Sequence, residues 1–90
     1  MKLWFKILKN DKMIYSATEE NSLSLNQEDY ERTLTEMCHK ANLSTPVSLV
    51  PHFMSLVRFN VTDYLPRDFI ESVDFDKVII ENITEEDNFN

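Results

Sequence analysis

The sequence contains no glycine. About six would be expected in an average chain of this length. A phosphate-cradling loop or a dinucleotide fingerprint needs glycine for close backbone approach and for positive φ. Neither can be written in this alphabet. Every tight turn must be made by Asn, Asp or Pro instead.

The first is Asn10-Asp11, which fits a two-residue hairpin turn because both residues tolerate the left-handed conformation. It joins a strand at residues 3–9, LWFKILK, to one that resumes with Met13, Ile14, Tyr15 and Ser16. Regular pairing across the turn sets Leu8 against Met13 and Ile7 against Ile14, and then Lys6 against Tyr15. One face then holds Leu3, Phe5, Ile7 and Ile14, and the other Trp4, Leu8, Met13 and Tyr15. Both faces are apolar, which a half-exposed hairpin would not be. Either the 51–73 segment covers the second face, or that face meets a partner.

Beyond the hairpin, Ser24 or Asn26 can cap a helix. Its apolar positions Tyr30, Leu34, Met37, Cys38 and Ala41 form one stripe, opposite Glu28, Arg32, Thr35, Glu36 and Lys40. Pro46 ends that pattern, and residues 47–50 read as a short strand. Pro51 opens a second helix with Phe53, Leu56, Val57 and Phe59 as its apolar positions. A brief extended segment at 61–65 and a turn of helix from Pro66 follow, with Phe69, Ile70 and Val73 directed inward. The last strand is expected over 75–83. The order ββαβα(β)αβ predicts an α+β domain, a small mixed sheet packed on one main helix. One domain spans 1–83, and 84–90 read as an acidic, disordered tail.

Sixteen acidic residues face nine basic ones, for a formal charge of −7. The basic residues are scattered, so phosphate backbone and anionic membrane are not expected partners. There is no long apolar N-terminal run and no candidate transmembrane span. A single cysteine, Cys38, excludes an internal disulfide. These features predict a soluble, cytoplasmic protein.

Few residues suggest chemistry. Cys38 lies on the apolar helix stripe, where a thiol is inert, and neighbouring His39 projects about a hundred degrees away. His52 sits at a helix start, where the dipole opposes its protonation. Asp74 and Asp76 would share one strand face, but Glu81 points to the other, and hard cations want about six oxygens. The pair is read as a turn feeding the last strand. No metal, cofactor or catalytic residue is expected.

The blocks "LWFKILKN" and "DFIESVDFDKVIIENI" resemble a family of small uncharacterised proteins of low-GC Gram-positive bacteria. There, a hairpin and a helix precede a segment matched here by Asp68, Phe69, Ile70, Glu71, Asp74, Phe75 and Asp76. The resemblance implies a bacterial, intracellular domain and carries no activity. The functional expectation is a non-enzymatic protein-interaction module, homodimeric or bound to a protein partner through Trp4, Leu8, Met13 and Tyr15. The alternative is an acidic nucleic-acid mimic that binds a basic partner protein.

Overall fold

A computed structural model describes residues 2–20 and 26–84. Strand β1 (Lys2–Lys9) and β2 (Lys12–Glu20) form the N-terminal hairpin. Helices α1 (Gln27–Lys40) and α2 (Val50–Phe59) follow, then β3 (Val61–Tyr64), a 3-10 turn at Pro66–Asp68 and β4 (Lys77–Asn82). The strands form one sheet in the order β2-β1-β4-β3. Every neighbouring pair is antiparallel. The α+β class holds, but the sheet is not mixed. A parallel pair needs a crossover between its strands, and here each chain reversal returns a strand beside an antiparallel neighbour.

Without glycine, the left-handed positions fall to Asn10, Asp11, Asn42 and Asn60, with φ between 54° and 63°. Asn10 and Asp11 close the hairpin. Asn42 follows α1, and Asn60 caps α2 through its N–H to the Leu56 carbonyl. Asn26, rather than Ser24, caps α1 by accepting the Asp29 N–H; Ser24 lies outside the described residues. The expected strand at 47–50 does not form. Val47 instead donates one backbone hydrogen bond to the Asp68 carbonyl, and α2 starts at Val50. The helical turn at Pro66 stops after three residues.

The predicted stripe of α1 is buried. Tyr30, Leu34, Met37 and Cys38 join Leu3, Phe5, Ile7, Val78 and Ile80 from the central strands. Leu56 of α2 and Tyr64 of β3 belong to the same cluster, and the Tyr30 and Phe53 rings meet at 5.9 Å. Both helices therefore cover the same face of the sheet. Of the two alternatives for the other face, cover by segment 51–73 does not occur. A single left-handed residue, Asn60, joins α2 to β3, and Leu56 and Phe53 must reach the core that Tyr30 already occupies. Phe69 is buried as expected, but Ile70 is 87% exposed and Phe59 70% exposed. The tail beyond Thr84 lies outside the described residues. Thr84 itself accepts the Lys2 N–H on its hydroxyl.

Candidate functional site

The hairpin carries a bulge that changes its faces. Leu8 pairs with Met13, but Ile7 pairs with Tyr15, so Ile14 is the extra residue. Beyond a bulge the side chains exchange faces. Tyr15 thus turns towards the core, where its ring meets Phe5 edge-on at 5.9 Å. Ile14 is 56% exposed. Of the four interface candidates, Trp4, Leu8 and Met13 share the helix-free face, and Tyr15 does not.

That face is built row by row from the strand registers. Leu8 lies between Met13 and Lys77, Lys6 between Ser16 and Ile79, and Trp4 between Thr18 and Glu81. Val61 and Asp63 of β3 complete it. Lys6 reaches across the middle. Its ammonium lies 4.1 Å from the Trp4 ring centroid and 2.9 Å from a Glu81 carboxylate oxygen. Trp4 is half-buried, with the Lys6 ammonium over its ring in a cation–π contact. Among the described residues no helix or strand packs over this surface.

Asp74 and Asp76 have a defined task at the end of the hairpin. The Asp76 carboxylate accepts the Asn10 N–H at 2.7 Å, and its own N–H bonds to the Leu8 carbonyl. Asp74 pairs with Lys9 at 2.8 Å and is otherwise exposed. The two carboxylates hold the hairpin turn against the start of β4. No group of three His, Cys, Asp or Glu side chains that could hold a metal occurs among the described residues. Titration with Mg²⁺, Mn²⁺, Ca²⁺ or Zn²⁺ is therefore expected to leave the melting temperature unchanged. A site filled at a hundred times its Kd would add about 2.7 kcal/mol. A rise that disappears in Asp74→Asn/Asp76→Asn would contradict the turn assignment.

A cleft of about 210 Å³ gathers His52, Ser55, Arg67 and Asp68. Its residue types suggest a catalytic triad, but its hydrogen bonds do not. His52 Nδ1 accepts the Leu49 N–H, which caps α2. The other nitrogen therefore carries the proton and faces Asp68, 3.7 Å away. Asp68 accepts the Leu65 N–H, and the Ser55 hydroxyl donates to the Val61 carbonyl. Neither imidazole nitrogen is left to take a proton from a serine. The ring also stacks on Tyr64 at 4.4 Å.

Behind it, the Tyr64 hydroxyl is hydrogen-bonded to the Tyr30 hydroxyl and, at 3.0 Å, to that of Ser48. Burial raises the pKa of Tyr30, and the neighbouring Tyr64 adds to the rise. Burial likewise raises Tyr64 and pushes the Cys38 thiol up to about 11. At neutral pH all three are neutral, so Cys38 is not an activated nucleophile.

No family model, no curated protein and no solved structure matches this chain. No helix among the described residues is long and apolar enough to cross a membrane. Sequence reasoning put Trp4, Leu8 and Met13 on one sheet face, as the registers do, but overlooked the surface of α2. Val50, Val57 and Phe59 are exposed there, as are Val47 and Leu49 just before the helix. The signal was present in VPHFMSLVRF, whose apolar residues outnumber the polar His52, Ser55 and Arg58 and spread wider than one stripe.

Proposed function

We propose that the protein is a non-enzymatic protein-interaction module that self-associates through the helix-free face of its sheet. The observation that carries this reading is the placement of both helices on one face, which leaves Trp4, Leu8, Met13 and Ile79 on a side with no described element over them. Charge favours a second copy as the occupant. By strand alternation this face presents Lys2, Lys6 and Lys77 against Glu20, Asp63 and Glu81. It is balanced, whereas the whole chain carries −7. Two copies meeting here avoid most of the repulsion that two acidic molecules would otherwise feel. A two-fold contact of one patch with itself suits such a surface. Trp is a common anchor of protein interfaces, and a small domain gains much from added burial.

The acidic-mimic reading has less support. A mimic needs an unbroken row of carboxylates, but Arg32 pairs with Asp29 and Lys40 with Glu19 on the acidic side. Cations interrupt the surface.

Sedimentation of the unmodified protein over a range of concentrations tests self-association. Trp4→Thr keeps a β-branched residue in the strand and avoids a carboxylate opposite Glu81. It is expected to weaken the dimer by about 30-fold or more, the scale of a lost interface anchor, with the monomer's circular dichroism intact. A wild-type protein that stays monomeric at millimolar concentration would overturn the reading.

A further inference from the structure

Helix α2 buries one side and leaves an apolar surface on the other. At a hundred degrees per residue, Leu56 and Phe53 point towards the sheet, and Val57, Val50, Met54 and Pro51 lie around the outer half. Leu56 alone is fully buried; Val50 and Val57 are exposed. Its polar residues His52, Ser55 and Arg58 lie together on one side, which leaves Val50 and Val57 as an exposed apolar edge between that side and the core.

The charge pattern around α2 is as unusual as its hydropathy. Residues 37–62 contain no Asp or Glu, although the chain has sixteen. Arg58 stands in the outer half of α2, next to the Met54 direction. Arg67 lines the cleft beside Pro51, His52 and Ser55, which Asp63 and Asp68 also line. Neither arginine makes an ion pair or hydrogen bond among the described residues, whereas Arg32, Lys6, Lys9 and Lys40 are all paired with carboxylates. Arg58 thus borders an apolar strip of α2 that carries no carboxylate, and Arg67 stands beyond it, in a cleft shared with Asp63 and Asp68 but without an ion pair.

We infer that α2 docks an acidic amphipathic helix of a different protein. Apolar residues at i, i+3, i+4 and i+7 of that helix would lie along Val50, Met54 and Val57. This stripe is about 10 Å long, two turns of helix. Carboxylates flanking the apolar residues would reach Arg58 and Arg67, where bidentate pairing adds orientation. A second copy of this chain does not supply that occupant. Its acidic helix α1 has already buried its apolar residues, Tyr30, Leu34, Met37 and Cys38. Its α2 has no carboxylate to meet Arg58. The inference is independent of the sheet face, and a dimer formed there would present two such helices.

The test is fluorescence anisotropy with a dye-labelled helical peptide of about 16 residues, long enough to be helical when bound. Leu occupies its i, i+3, i+4 and i+7 positions and Glu the remainder; a second probe replaces each Glu with Lys. The glutamate probe is expected to bind saturably and the lysine probe at least about tenfold more weakly, a difference of about 1.4 kcal/mol. Met54→Asp and, separately, Arg58→Glu/Arg67→Glu should each weaken the glutamate probe by a similar factor. Arg58 and Arg67 are exposed, so the double variant tests the proposal even where Met54→Asp fails to fold. Absence of saturable binding, equal binding of both probes, or binding unchanged in the double arginine variant would overturn it. So would loss of binding in Trp4→Thr with the α2 variants unaffected, which would place the probe on the sheet.

Discussion

Replacing Leu34 by alanine is expected to remove about 2–5 kcal/mol of unfolding free energy. Leu34 is fully buried in the middle of the α1 stripe, in the one core that both helices share with the sheet. The core is a single layer thick, because only one face of the sheet is covered. A cavity at its centre has few neighbours that can collapse into it. The total stability of a domain this size is about 5–15 kcal/mol, so the loss is a large share of the whole. Lys40→Ala on the same helix is the matched control. Lys40 is exposed and pairs with Glu19 at 2.8 Å, and solvent screens such exposed pairs so that their loss changes stability little. Urea unfolding reads both, as a change in midpoint at constant slope. Equal losses at the two positions would mean that the buried face of α1 has been misassigned.

The parts legible in the sequence were those decided locally. Asn10-Asp11 specified a hairpin because two adjacent residues that accept positive φ stand between two apolar strands. The α1 stripe was legible because five apolar positions repeat at helical spacing opposite a charged side. Long-range packing decided the remainder. The bulge at Ile14 is invisible to strand alternation; it forms where Tyr15 can meet Phe5 across the sheet. That one residue moved Tyr15 from the predicted interface to the core. The side of the sheet taken by α2 was equally hidden, because Tyr30–Phe53 and Tyr30–Tyr64 contacts between distant segments settle it. Ile70 and Phe69 are adjacent apolar residues, and only the edge-on packing of Phe69 on Phe75 selects which is buried. The outer surface of α2 was a different kind of omission. Its excess hydropathy and the acid-free run of 37–62 stood in the sequence, but a search for one apolar stripe per helix passes over them.

Alkaline pH is expected to unfold the protein, beginning above pH 9, with stability essentially unchanged between pH 6.5 and 8. Three neutral acids are buried together: Tyr30, Tyr64 and Cys38 are each fully removed from solvent. Burial is the first cause of the raised pKa in all three. Ionised groups there would lose hydration, and a phenolate at Tyr30 or Tyr64 would also disrupt the hydroxyl chain to Ser48. The sign follows from proton counts. In the unfolded chain the thiol ionises near 8.5 and the phenols near 10, while the folded groups hold their protons to higher pH. The folded state therefore binds more protons in that window, and stability falls as pH rises. Cys38 acts between its unfolded value and about 11; the tyrosines take over above about 10. Each group steepens the fall by at most about 1.4 kcal/mol per pH unit. Lys40 adds in the same direction, because its hydrogen bond to Glu19 raises its pKa and is lost on deprotonation. Urea unfolding at stepped pH, with tyrosinate absorbance followed in parallel, measures the effect. In a Tyr15→Phe background, which leaves Tyr30 and Tyr64 as the only tyrosines, tyrosinate should appear together with unfolding rather than before it. Tyr30→Phe should flatten the slope above pH 10 while leaving Tyr64 its bond to Ser48. If tyrosinate forms in a still-folded protein, or the slope is unchanged in Tyr30→Phe, the hydroxyl chain does not govern the alkaline limit.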